Sequence, residues 1–437
     1  VTALMFPAIP LMMAVYSNRF HSLSILIRQL HDEHVYEKHI PPEWKKQFIN
    51  LSGRITLLRW TILFASFGFL FNMLTVFALY LDEVFLNNHF AGNGKFTKRC
   101  QSFIEDIVGS RVLLTTSCTA ALELAAMSLN LSSDDEVIVP SYTFAATASA
   151  FYRTGAKIIF AEIDPNTLMM DINDVERRIT RNTRAIVPVH YAGLPCDVGI
   201  FSELCKSRGI DLIEDAAQGF GTMLQGGHLG TFGRFGTISF HETKNIHCGL
   251  GGAIYINKTE DFDRVENIWE RGTNRAKMFR GLVDKYSWVD SGSSFYPTEI
   301  QSAFLLAQLE SLDKNLDQRS VLAKEYQKRL ANLRIHGVYV QNSSPFIRWN
   351  HHAIACIFPT YEITEHVRKT LLKRGIQAYI GYVPLHSSTM GRKMGWKPDD
   401  LPITEDVSKR ILRLPMHCEM TLEDVARVTD ELNDILG

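Results

Sequence analysis

Hydrophobic and polar positions follow two unlike regimes along the chain. Up to residue 81 they form long apolar runs, whereas from Asp82 short apolar runs alternate with helix-length periodic segments. Residues 1–17 carry no charge, and neither does Trp60–Leu81, where Asn72 is the only strongly polar residue. The second run is long enough to cross a bilayer as a helix, although a core helix of a large protein would look similar. The linker from Asn18 to Arg59 holds seven Lys or Arg against four acids, which by the positive-inside rule makes it cytoplasmic. A single crossing after it would place everything from Asp82 outside the cytoplasm. Residues 1–17 have no basic n-region or small-residue cleavage site and so do not read as a complete signal peptide.

Beyond Asp82 the pattern predicts seven strands: 112–116, 136–144, 157–163, 183–193, 210–218, 236–240 and 251–256. Most are separated by helix-length segments, which argues for an α/β fold with a mostly parallel sheet covered by helices on both faces. Residues 259–271 and 297–335 are amphipathic and helical, the second read as one long helix leading into a smaller C-terminal α+β domain. The expected division is therefore a membrane hairpin over 1–81, a large domain over 82–312 and a small domain over 313–437.

Composition adds little against this picture. A formal net charge of −1 gives no general attraction to nucleic acid or acidic lipid. Seven scattered cysteines, with no CxxC pair and no Cys/His metal spacing, read as reduced thiols rather than a disulfide framework.

Candidate chemistry gathers at strand ends, where ligands of such sheets bind. Lys244 sits in a polar turn between two strands, followed by Gly249, Gly251 and Gly252. A partly desolvated lysine there could form a Schiff base; alone, it could equally be a solvated loop residue. The strand ending near Thr116 runs into a Ser/Thr-opened helix, which makes an anion site or an ordinary N-cap. Asp215 follows an apolar run, a costly place for an unpartnered carboxylate. A cationic ring nitrogen would supply that partner, as would an arginine or a helix cap. Thr119, Phe144, His190, Asp215 and Lys244 all fall just past predicted strand ends and could share one site.

The motifs EDAAQG, SFHETKN, GTNRAKMFRGLVDKYSW, YVPLH and LRLPMHCEMT together resemble the DegT/DnrJ/EryC1/StrS sugar aminotransferases, from about residue 82 to the C-terminus. The resemblance implies a dimer of fold type I, aspartate aminotransferase-like, with shared active sites and pyridoxal 5'-phosphate as cofactor. Carried over, Lys244 would bind the cofactor covalently and shuttle a proton. Asp215 would pair with the pyridinium nitrogen, Gln218 with the phenolic oxygen, and Phe144 would stack on the ring. Thr119, the Ala120 amide and Ser239 would hold the phosphate. His190, Arg275 and Lys285 would touch substrate or the other subunit. The implied reaction moves an amine from L-glutamate to a nucleotide-linked 4-keto-6-deoxy sugar, dTDP-4-dehydro-6-deoxy-D-glucose, giving the 4-amino-4,6-dideoxy-D-galactose nucleotide. Lysine at 244 argues against the family's dehydratase branch, which carries histidine.

The chain departs from the family at Leu250, where many relatives have glutamate, and at Tyr296, where some donate an asparagine across the dimer. The family's short N-terminal lead-in is also missing. Residues 1–81 resemble a family of small bacterial membrane proteins of unknown function. Since dTDP sugars, glutamate and the cofactor are cytoplasmic, the hairpin is expected to be inverted, not fully inserted, or a fusion of neighbouring reading frames. Two alternatives stay open: another dTDP- or UDP-linked keto sugar as substrate, and a membrane-anchored, non-catalytic scaffold.

Overall fold

Runs rich in Val, Ile and Phe assemble the central sheet of the computed structural model. Strand β1 (Arg111–Thr115) leads into α2 (Cys118–Ser128), and β2 (Glu136–Pro140) into α3 (Ala145–Tyr152). Then follow β3 (Lys157–Ala161), α4 (Ile172–Arg178), β4 (Thr183–Ile186), α5 (Val198–Arg208) and β5 (Asp211–Asp215). A small hairpin, β6 (Met223–Leu224) and β7 (Gly227–His228), precedes β8 (Phe235–Ser239) and β9 (Gly252–Ile256). Helix α1 (Lys95–Val108) lies ahead of β1. The sheet order is β1-β9-β8-β5-β4-β2-β3, in which β9 runs antiparallel to both its neighbours and the other pairings are parallel. All seven sequence-predicted strands are present, and "mostly parallel" describes them.

The structure describes residues 89–344 and 346–437, with Gly53, Thr56, Leu57 and Trp60 as isolated helical positions. The chain divides into two compact units, Val1–Asn88 and His89–Gly437. Apart from those four residues, the expected hairpin over 1–81 lies outside the described residues. Among the described residues no helix is long and apolar enough to cross a membrane.

Strand alternation explains why both faces of the sheet are covered. Val137 and Val139 belong to a cluster with Leu122 and Phe151 of α2 and α3, and with Val265 of α6 (Phe262–Trp269). Ile138, between them, belongs to a second cluster with Phe201 of α5. That second cluster continues through Leu322 and Tyr326 into a four-stranded antiparallel sheet.

Between the two sheets, the helix expected over 297–334 is broken. Helix α7 (Arg275–Phe279) precedes α8 (Glu299–Leu309), and α9 (Leu312–Leu330) starts after a break at Glu310–Ser311. Ser311 Oγ donates back to the Ala307 carbonyl at 3.4 Å, the local bonding by which serine competes with helix continuation. The second sheet has the order β10 (Tyr339–Val340), β12 (Ile354–Ile357), β14 (Ile411–Leu414) and β13 (Tyr379–Ile380). Strand β11 (Ile347–Arg348) instead joins β6, which ties the C-terminal part to the loop after β5.

Candidate active site

Three strand ends and one helix tip build the site. Asp215 closes β5 and is buried. Its Oδ2 accepts from Thr147 Oγ1 of α3 at 2.7 Å, and its Oδ1 from the Ala217 N–H at 3.1 Å. Burial raises its proton affinity, against the pull of Thr147, Ala217, Lys244 and His190. No arginine pairs with it among the described residues, and the nearest positive influences are Lys244 and His190.

Lys244 stands in the turn after β8, its backbone N–H bonded to the His241 carbonyl at 2.8 Å. Burial lowers the affinity of its amine for a proton; Cys118 and Asp215 oppose this and Arg413 reinforces it. The turn is pinned from the next residue. Asn245 Nδ2 donates to the Asn350 carbonyl at 2.8 Å, and Asn245 Oδ1 faces His352 Nδ1 at 3.0 Å. Asn350 in turn donates to the Gln218 and Phe220 carbonyls at 2.7 and 2.9 Å. The lysine turn and the loop after Asp215 are thus held by one segment of the C-terminal part.

The tip of α2 lies beside these groups because β9 carries a glycine there. A Cβ on Gly252 would stand 2.5 Å from both the Cys118 nitrogen and the Ser117 carbonyl carbon. Gly252 also pairs in register with Ser239, the last residue of β8, so Ser239 and the helix tip face one another. Ser117 Oγ accepts from the Ala120 N–H at 3.0 Å, so the Ala120 amide, expected to bind phosphate, is instead used by the helix cap. The N–H groups of Cys118 and Thr119 have no acceptor within the helix by position, the arrangement that favours an anion at a helix start. Gly252→Ala is expected to destabilise the protein by about 1–3 kcal/mol through overpacking and to weaken cofactor uptake. A chemical-denaturation midpoint and a cofactor titration check this, and an unchanged midpoint would contradict it.

Phe144, the N-cap residue of α3, is 60% exposed despite its size. Its ring centroid is 6.3 Å from that of Tyr382. Gln218 is buried, accepting from the Ala192 N–H at 2.6 Å and donating to the Tyr382 hydroxyl at 2.9 Å. An exposed aromatic face, a carboxylate lacking a cation, a proton-poor lysine and an open helix tip fit a flat cationic ring bearing an aldehyde and a phosphate.

The substrate-contact expectations fare differently. His190 is fully buried: Nε2 donates to Glu214 at 2.9 Å and Nδ1 accepts from the Cys196 N–H at 3.2 Å. Both ring nitrogens are engaged, so it supports Asp215 from behind rather than meeting substrate. Arg275 pairs with Glu270 at 3.5 Å and lies over the Phe279 ring, while Lys285 is exposed. Sequence reasoning missed Cys118, Thr147, Tyr382, Arg413 and Asn350. Of these Cys118, Tyr382 and Arg413 fell inside singled-out stretches, and none of those stretches indicated that these side chains mattered.

Comparison with known proteins identifies the family. The model of the DegT/DnrJ/EryC1/StrS aminotransferase family matches residues 77–433, and that of a protein of unknown function (DUF2721) matches residues 1–97. GDP-perosamine synthase of Escherichia coli O157:H7 is 31% identical, over 81% of this chain and 94% of its own. The dTDP-4-dehydro-2,3,6-trideoxy-D-glucose 4-aminotransferase of Saccharopolyspora spinosa is 30% identical, over 80% of this chain and 91% of its own. The structure of DesI in the presence of its TDP-sugar product superposes with a TM-score of 0.74 at 26% identity, covering 82% of this chain and 89% of that one.

Proposed function

The chain belongs to the DegT/DnrJ/EryC1/StrS aminotransferase family, and from that premise we propose which amine it moves and to what. It is an enzyme, a transaminase using pyridoxal phosphate, and its substrates are nucleotide-linked keto sugars. The specific reading is transfer from L-glutamate to C4 of dTDP-4-dehydro-6-deoxy-D-glucose, giving dTDP-4-amino-4,6-dideoxy-D-galactose and 2-oxoglutarate. The observation that supports the chemistry is a half-buried Lys244 in the turn after β8, the buried Asp215 at the end of the neighbouring β5, and an exposed Phe144 after β2. With that set intact, the scaffold alternative is not retained.

Bound here, pyridoxal phosphate supplies an electron sink for the carbon that bears the transferred amine. Asp215 would hold the proton on the ring nitrogen that makes the sink effective. Lys244, less basic than an ordinary lysine, stays unprotonated to lower pH and can act as nucleophile and proton carrier. Thr119, Ser239 and the free N–H groups of the α2 tip would hold the phosphate. Phe144 would cover one ring face, and Gln218 would orient the phenolic side. We retain 82–312 and 313–437 as the working domain division.

The nucleotide is tested by offering dTDP-, GDP- and UDP-linked 4-keto sugars with L-glutamate and following 2-oxoglutarate. The dTDP sugar is expected to give the highest kcat/KM, by about tenfold or more, the scale of one lost contact. A preference for either other nucleotide would overturn the specific substrate.

A second copy of this chain is proposed to cover the loop after α6. Two of its basic residues are bound within the subunit: Lys277 to Asp263 at 2.6 Å and Arg280 to Glu266 through two bonds of 2.6 Å. Phe279, Leu282 and Trp288 are left 68%, 66% and 80% exposed, an apolar set that marks an interface. Light scattering should give a dimer, and Trp288→Asp should shift it toward monomer with loss of activity. A wild-type monomer at working concentration would overturn this. The reaction is assigned to the cytoplasm, where its substrates are made.

A further inference from the structure

Helix α9 reaches the peptide that follows Lys244 by two routes. Within the turn itself, the Lys244 N–H meets the His241 carbonyl and the Glu242 N–H meets the Gly249 carbonyl, both at 2.8 Å. Those bonds shape the turn from inside. Asn245, buried one residue after the lysine, ties it to the C-terminal part. Its side chain meets the Asn350 carbonyl and His352 Nδ1, and its backbone carbonyl accepts from Asn315 Nδ2 of α9 at 2.8 Å. The second route runs one turn further along the same helix. Arg319 donates to the His351 and His352 carbonyls at 3.1 and 2.8 Å, and so holds the segment that grips the Asn245 side chain.

Asn315 occupies its place at a cost. Its Oδ1 is buried and accepts nothing, and an unsatisfied buried acceptor is unfavourable. Leu312 and Leu316, on either side of it in α9, are buried apolar residues. A leucine of similar volume at 315 would orphan no polar atom; what the asparagine adds is the donor to Asn245. That donor bears on the lysine because the amine rides on a flexible four-carbon stem, so its position depends on where the backbone is held. The amine lies within electrostatic reach of Cys118, Asp215 and Arg413, and of the His352 ring. A turn relaxed outward would carry it from these groups into water.

We propose that Asn315 is a positioning residue for the reaction: from α9 it fixes the peptide after Lys244 and so keeps the amine within reach of Asp215 and Cys118. The proposal rests on the aminotransferase reading above. It makes α9 the strap through which the C-terminal part sets the reacting amine, with Asn315 acting through Asn245 rather than on the substrate.

The first readout uses the apoenzyme. Brief acetylation with acetic anhydride across about pH 7–11, the span that brackets an ordinary lysine, gives the titration midpoint of Lys244 by peptide mass spectrometry, with the exposed Lys285 as reference. In wild type Lys244 should titrate below Lys285. In Asn315→Leu its midpoint should rise toward that of Lys285 by about half a unit or more, as the amine gains water. Asn315→Gln, which keeps the donor on a longer arm, should fall between. In the holoenzyme of Asn315→Leu the Lys244-dependent visible band should still form. Its kcat should fall by about 10- to 100-fold, the scale of a small misplacement of a reacting group, with KM for both substrates within about threefold of wild type. An unchanged Lys244 midpoint in a folded Asn315→Leu overturns the proposal, as does a loss carried by KM alone. Hydrogen exchange of the wild-type apoenzyme covers the case of a variant that does not fold. The Lys244 and Cys248 amides should exchange within about tenfold of the slow amides of residues 315–319, and a turn that exchanges freely beside a protected α9 overturns the proposal without any variant. A wild type with no Lys244-dependent band would instead sink the aminotransferase reading, while the apoenzyme results would stand.

Discussion

Replacing Lys244 with alanine is expected to abolish transamination, lowering turnover by at least about 10⁴-fold, because nucleophile and proton carrier are lost together. The visible band formed on adding pyridoxal phosphate should disappear with it. A variant that kept a tenth of wild-type turnover would remove Lys244 from the mechanism. The same substitution should have an opposite, smaller effect on stability. Burial holds the folded-state pKa of Lys244 below 10.5, so between that lowered value and 10.5 the unfolded chain binds more protons than the folded one. The stability of the apoenzyme therefore rises with pH across this window, as the unfavourable buried charge is neutralised. Lys244→Ala should flatten that rise and should stabilise the apoenzyme most on the acid side of the window. Chemical denaturation of both proteins at several pH values checks the sign, and a steeper rise in the variant would contradict it.

The second large effect is expected at a residue that never meets a ligand. Glu214, beside Asp215, is wholly buried and accepts four hydrogen bonds: from His190 Nε2 and the Gly230 N–H at 2.9 Å each, and from the N–H groups of Phe232 and Gly233 at 2.6 and 2.7 Å. Glu214→Leu would orphan all four donors at once. Removing one member of such a buried charged set costs about 3–5 kcal/mol, so the thermal unfolding temperature should drop clearly. Cofactor affinity should fall with it, because the turn at 230–233 and the His190 ring both brace the strand that carries Asp215. An unfolding temperature within a degree of wild type would show that these bonds are replaced by water.

How far the sequence could be read depends on distance along the chain. The seven strands were legible because each is a short apolar run bounded by polar turns, and strand ends are where this architecture concentrates ligands. That reasoning led to the expectation that Thr119, Phe144, Asp215 and Lys244 share one place. It misjudged Ala120, since the competition of Ser117 for its amide depends on the rotamer of the cap. It misjudged His190 because a histidine past a strand end reads alike whether it faces the cleft or packs behind a carboxylate. Arg413 was illegible for a different reason. Its influence on Lys244 depends on how β14 pairs with its neighbours, which leaves no local periodicity. The helix break at Ser311 was hidden by an amphipathic pattern that runs straight through it.

The antiparallel return of β9 carries a consequence for the birth of the protein. Among the described residues strand β1 stands at the sheet's edge with β9 as its sole strand neighbour, yet a ribosome releases β1 long before it releases Gly252. At about 5–20 residues per second, β1 waits on the order of 10 s with its backbone unpaired, while β2 to β5 can already associate. Nascent chains halted short of Gly252 should leave the Arg111–Thr115 segment open to protease, and those halted well past Ile256 should protect it.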